Sequence, residues 1–127
     1  MRLLLDTRVF LLSTMASSKL GKPARDLMES ADEVWVSAAS IWEVTIKLAL
    51  GRVDGDIDEA VKSIEASGFR NLPVTAQHAA AVRRLPAYHS DPFDRLLIAQ
   101  AITEPLHLLT LDPLLQRYSE LVIVVPS

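Results

Sequence analysis

Short apolar runs alternate along the chain with segments whose apolar residues recur at helical spacing. Leu3-Leu4-Leu5, Val34-Trp35-Val36-Ser37, Leu106 to Leu111 and Leu121 to Val125 carry no polar alternation. A strand with no polar face needs burial on both sides. Asn71-Leu72-Pro73-Val74 is a shorter candidate strand whose proline predicts an edge position or an early end. The first helical pattern lies near Val9 to Met15, ahead of a Ser17 to Gly21 loop. A second opens at Pro23, where a missing N–H costs little, and runs to about Ser30. Ser40-Ile41-Trp42-Glu43 has the spacing of a capping box, which predicts a helix starting there with Glu43 in its first turn and Gly51 at its end. Asp56 opens a helix to Gly68, Thr75 caps the next, and Asp91-Pro92-Phe93-Asp94 begins one reaching about Thr103.

Strands alternating with helices predict an α/β fold with a central parallel sheet of four to five strands, covered on both faces to give three layers. No repeat, low-complexity tract or long linker divides the chain, so residues 1–127 are expected to form one domain. Half the residues are apolar, enough for a core without cross-links. The pattern leaves strand order open.

Composition narrows the chemistry. There is no cysteine, so any metal must be held by oxygen or imidazole; a reducing compartment is permitted, and the cytoplasm is the simplest assignment. Asp6 and Arg8 interrupt the first apolar run before it reaches the length of a signal sequence, and no run approaches a membrane span. The net charge of −3 does not advertise a nucleic-acid binder, yet acids gathered in one pocket would leave basic residues around it free to meet phosphate.

Four carboxylates stand where a strand ends or a helix begins: Asp6, Glu43, Asp94 and Asp112. Asp6 follows three leucines and Asp112 follows Leu108-Leu109-Thr110-Leu111, so both should emerge at the carboxyl edge of the sheet, where open α/β folds bind ligands. Each has an ordinary structural role to weigh beside a functional one. Asp91 and Asp112 precede proline and suit helix caps, Glu43 can pair with Lys47 one turn on, and Asp94 complements a helix dipole. Asp6 is hardest to assign that way, since a carboxylate beside a core must be paired or bind a cation. Four acids in one crevice repel unless something positive enters, and Mg²⁺ or Mn²⁺ matches an all-oxygen set.

Four segments, Leu4-Leu5-Asp6-Thr7-Arg8-Val9-Phe10, Val36 to Glu43, Asp91 to Ala101 and Leu109-Thr110-Leu111-Asp112, resemble PIN domains of the VapC toxin type. The resemblance implies a metal-dependent endoribonuclease acting as the toxin of a type II toxin–antitoxin pair, a homodimer held in check by a small antitoxin. It places Asp6, Glu43, Asp94 and Asp112 at catalytic, metal-holding positions, with Thr7, Asp91 and Thr110 as supporting residues. Hydrolysis would leave a 5′-phosphate and a 3′-hydroxyl, with Lys47 near the leaving oxygen. Arg8 stands where the subgroup usually has histidine; Arg8 and Arg95 are candidates for RNA phosphate. Trp42 and Ile46 are candidates for an antitoxin surface, while Ile41, Val44 and Leu48 of the same helix are expected in the core.

Two rivals remain at this stage. A phospho-signalling receiver domain also carries an acidic Mg²⁺ pocket, but it has adjacent acids after its first strand and a late lysine, whereas Asp6 stands alone and the late strand leads to Asp112. A catalytically silent binding module of the same fold would keep the acids without cutting. A metal-free ribonuclease would need paired histidines, and His78, His89 and His107 are expected to be structural or exposed.

Overall fold

Five parallel strands form the middle layer of the computed structural model, which describes all residues from Met1 to Ser127. They are β1 (Arg2–Leu5), β2 (Glu33–Ser37), β3 (Arg70–Leu72), β4 (His107–Thr110) and β5 (Val122–Val124). Their order is β3-β2-β1-β4-β5. The chain therefore builds outward from β1 on one side, then returns to its other edge. β1 is held on both flanks, with Leu5 opposite Val36 in β2 and Leu109 in β4. The reversal between β1 and β4 opens a crevice at the carboxyl ends of the strands, the place where such sheets bind ligands. A receiver of the flavodoxin-like type has the order 2-1-3-4-5 instead.

The helices are α1 (Thr7–Thr14), α2 (Lys22–Ser30), α3 (Ala38–Ala49), α4 (Ile57–Ala66), α5 (Ala76–Ala81) and α6 (Pro92–Thr103). Alternate residues of β1 serve opposite faces. Leu3 and Leu5 join Val9, Phe10 and Ile64 in one apolar cluster, while Leu4 joins Leu97, Ile98 and Leu108 in the other. This produces the three layers, and each fully buried leucine or phenylalanine contributes roughly 1.5–3 kcal/mol of transfer free energy. No helix is long and apolar enough to cross a membrane.

Several boundaries differ from the sequence expectation. α1 starts at Thr7, not Val9, because the Asp6 side chain accepts the Val9 N–H and caps it. α3 starts at Ala38, not Ser40. Ser37 closes β2 and its hydroxyl accepts the Ala39 N–H, so the strand passes into the helix without a loop. Ser40 is buried and accepts from the Thr7 hydroxyl, and Glu43 falls in the second turn. Two short 3-10 stretches, Val82–Arg84 and Pro113–Tyr118, were not anticipated. Along α3, Val44 is buried while Trp42 is exposed. Other signals hold: Pro73 ends β3 at the sheet edge, and Gly51 and Gly68 follow their helices with φ of +69° and +78°.

Candidate metal centre

Asp6 leaves β1 at the crevice and is only 6% exposed. Its Oδ1 accepts the Val9 N–H at 2.8 Å, and its Oδ2 accepts the Thr110 hydroxyl. Thr110 ends β4, beside β1, and its Oγ1 also accepts the Asp112 N–H at 3.0 Å. One hydroxyl thus fixes the first acid and the backbone of the last. The Asp112 side chain caps the Pro113–Tyr118 turn through Leu114 N–H at 2.9 Å. Asp91 caps α6, accepting from Phe93 and Asp94 N–H groups at 2.8 and 3.1 Å, which sets Asp94 in the first turn facing the same crevice. The capping roles read from the prolines are therefore present, and they coexist with a shared location.

α3 packs against α1, α4 and α6 and carries Glu43 over the carboxyl edge of the sheet. Glu43 is 8% exposed. Its Oε2 lies 2.9 Å from Lys47 Nζ, the pair expected one turn apart, but its Oε1 is buried with no partner. A cleft of about 380 Å³ gathers Asp6, Glu43, Asp91, Asp94 and Asp112, with Thr7, Arg8 and Lys47 on its walls.

This gathering has an electrostatic cost. Burial pushes the Asp6 carboxyl up from 3.8 to about 6, with the Thr110 and Val9 hydrogen bonds opposing and the charges of Asp94 and Glu43 adding. Asp94 is also raised, chiefly by burial, although the His89 contact pulls the other way. Buried, mutually repelling carboxylates and an orphaned carboxylate oxygen are features of a site shaped for a cation. The donors fit Mg²⁺ or Mn²⁺, which take oxygen ligands.

Not every candidate lies here. Arg95, expected at RNA phosphate, turns away from the cleft: its guanidinium donates to the carbonyls of Pro86 at 2.8 Å and of Val82, Leu85 and His89 at 3.3–3.4 Å, and to Tyr118 Oη at 3.3 Å. Arg8 is exposed at the cleft wall. Trp42 is 61% exposed and meets Phe93 edge-on at 5.1 Å, and Ile46 is half-buried. His89, expected to be structural or exposed, is half-buried, and its Nε2 stands 2.9 Å from Asp94 Oδ2. Its position five residues before Asp94 was the only sequence signal for that contact. His78 is buried against Thr75, Gln100 and Glu104, and His107 begins β4 at the far end of the sheet.

Thr110→Val keeps the shape and removes the hydroxyl. It is expected to lower stability by about 1–2 kcal/mol, because the Asp112 N–H loses its acceptor and Asp6 its donor. Divalent-cation affinity, measured by calorimetry, is expected to fall by about 10-fold or more. Unchanged affinity would show that the hydroxyl does not hold the two acids in place.

The family model described as PIN domain matches residues 3–121. No curated protein matches the sequence significantly. Among solved structures, VapBC2 from Rickettsia felis, bound to a DNA fragment from its promoter, is similar with a TM-score of 0.69 and 15% identity over 98% of both chains. FitAcB from Neisseria gonorrhoeae gives 0.66 and 19% identity, covering 98% of this chain and 97% of that one. VapC20 of Mycobacterium tuberculosis, a toxin that cleaves the sarcin–ricin loop, gives 0.63 and 18% identity, covering 98% and 99%. At these identities the likeness establishes the fold.

Proposed function

Because this chain belongs to the PIN domain family, we propose that it is a divalent-cation-dependent endoribonuclease acting as the toxin of a type II toxin–antitoxin pair. The observation that carries the proposal is the cleft in which four carboxylates meet, one of them with an unpartnered buried oxygen. Toxin–antitoxin complexes among the similar folds, and RNA cleavage by VapC20, support the same reading. A PIN fold of residues 1–127 acting as one unit, in the cytoplasm and as a homodimer, is part of the proposal.

Asp6, Glu43, Asp94 and Asp112 would hold Mg²⁺ or Mn²⁺. When bound, such a cation offsets phosphate charge and makes a water more acidic for in-line attack. The protein's own part is positioning. Asp6 is locked by its two hydrogen bonds, Thr110 ties it to Asp112, and the Asp91 cap sets the angle of Asp94. Thr7 steadies the base of α3 through Ser40. Lys47 can leave Glu43 for a phosphate or leaving oxygen once that carboxylate takes a cation, and exposed Arg8 is placed to meet the RNA backbone. Trp42 and Ile46 offer an apolar strip beside the cleft for an antitoxin helix.

End-labelled RNA incubated with purified protein is expected to be cut with Mg²⁺ or Mn²⁺, spared with EDTA, and spared by Asp94→Asn. Cleavage that survives EDTA would overturn the cation-dependent mechanism. Cation binding without cleavage across several RNA classes would favour a silent binding module.

A further inference from the structure

We infer that His89 supplies a nitrogen donor to a cation held jointly with Asp94 and Asp112, so that the centre has mixed nitrogen and oxygen ligation. The inference rests on reading the cleft as a cation site and adds a ligand that the four acids do not include. One donor atom from each of His89, Asp94 and Asp112 lies within 4.8 Å of the other two, and all three residues are half-buried. Two donors on one octahedral cation at about 2.1 Å stand roughly 3 Å apart when adjacent and about 4.2 Å when opposed. The His89 Nε2 to Asp94 Oδ2 separation of 2.9 Å is already that of adjacent donors. With that pair already in place, the trio closes on an ion by moving Asp112 inward by less than about 2 Å.

Two further observations bear on the assignment. His89 is presented by its own backbone: its N–H donates to Tyr118 Oη at 2.7 Å, and its carbonyl accepts from Arg95 at 3.3 Å. Independently, the buried and unpartnered Oε1 of Glu43 lies on the cleft that Asp94 and Asp112 share, so the surroundings leave a position for a cation there. Imidazole suits Fe²⁺, Ni²⁺ and Zn²⁺ best and oxygen serves both Mg²⁺ and Mn²⁺, but Mn²⁺, as a member of the transition series, accepts a nitrogen donor more readily than Mg²⁺ does. His89 thus makes the centre discriminate in favour of Mn²⁺.

The test uses the full chain with Mn²⁺ alone, read by pulsed electron paramagnetic resonance, with natural and ¹⁵N-labelled histidine. Calorimetry with Mn²⁺ and with Mg²⁺ is run in parallel on wild type and His89→Gln. The expected result is a directly bound nitrogen whose signal changes on labelling and disappears in His89→Gln. That variant should lose about 10-fold or more in Mn²⁺ affinity and under about 3-fold for Mg²⁺. Of the three histidines only His89 joins Asp94 and Asp112 in one donor group, so the labelled nitrogen belongs to His89. Bound Mn²⁺ without nitrogen coupling, or an equal loss for both cations, overturns the assignment and makes His89 a hydrogen-bonding support of Asp94. In that case cation-dependent RNA cleavage leaves the nuclease reading standing. Failure of the wild type to bind Mn²⁺ overturns both.

Discussion

Asp6→Asn is expected to lose RNA cleavage by at least about 100-fold and, in the same preparation without cation, to melt higher than wild type at neutral pH. The two effects share one cause. In the folded protein the Asp6 carboxyl titrates at about 6, above its ordinary 3.8, because burial disfavours its charge. A carboxyl raised in this way contributes its full stability below about 3.8, where both folded and unfolded chains are protonated. That contribution is lost as pH rises through about 6, so at pH 7.5 the charged group burdens the fold by about 1–3 kcal/mol. Asparagine removes the charge, remains a good N-cap for α1, and can still bond the Thr110 hydroxyl. The gain should be roughly 4–10 °C and should shrink as pH falls from 7 to 4. Mg²⁺ added to wild type should raise its melting temperature by mass action, with little effect on the variant. A melting temperature that drops would mean that the lost acceptor oxygen outweighs the relieved charge.

Arg95→Ala is expected to be the most damaging change outside the core, at about 2–4 kcal/mol in denaturant unfolding. Four carbonyls and the Tyr118 hydroxyl converge on this one guanidinium, and truncation leaves the Pro86 and Leu85 carbonyls without that donor, while Val82 keeps the Leu85 N–H and His89 keeps Tyr118 Oη. Arg95→Lys should restore less than half of the loss, since an ammonium cannot spread its donors in a plane. Cleavage at permissive temperature should fall by about 10-fold, because the segment steadied by Arg95 carries His89 and leads to the Asp91 cap. An arginine that served RNA phosphate instead would leave stability unchanged and would raise KM with a weaker salt dependence.

These two residues mark what could and could not be read from the sequence. Asp6 was legible because three buried leucines precede it and a carboxylate there has few tolerable fates. The strands were legible for a related reason, since uninterrupted apolar runs suit only a sheet covered on both faces. Strand order was not, because pairing depends on which edges of β1 are taken up, and local pattern carries no record of that. Ser40 misled because its capping-box spacing is real, whereas the true start is set by how far β2 pairs with its neighbours, through Ser37 and Leu72. The hydrogen bonds of Arg95 left no signal in the sequence. Its partners lie on a loop and on two 3-10 turns whose paths follow no periodicity, so a basic residue beside an acidic motif looked free when the fold engages it.

β1 waits for one of its two neighbours until late in the chain: β2 reaches it after some thirty residues, whereas β4 begins at His107. Asp112 and the Thr110 hydroxyl that steadies Asp6 arrive with that second neighbour. During synthesis the first two carboxylates are made long before they can be assembled, and the ribosome must pass Asp112 before the acidic cleft can close. The order of the strands thus acts as a timer that holds the acids apart until β4 has been made.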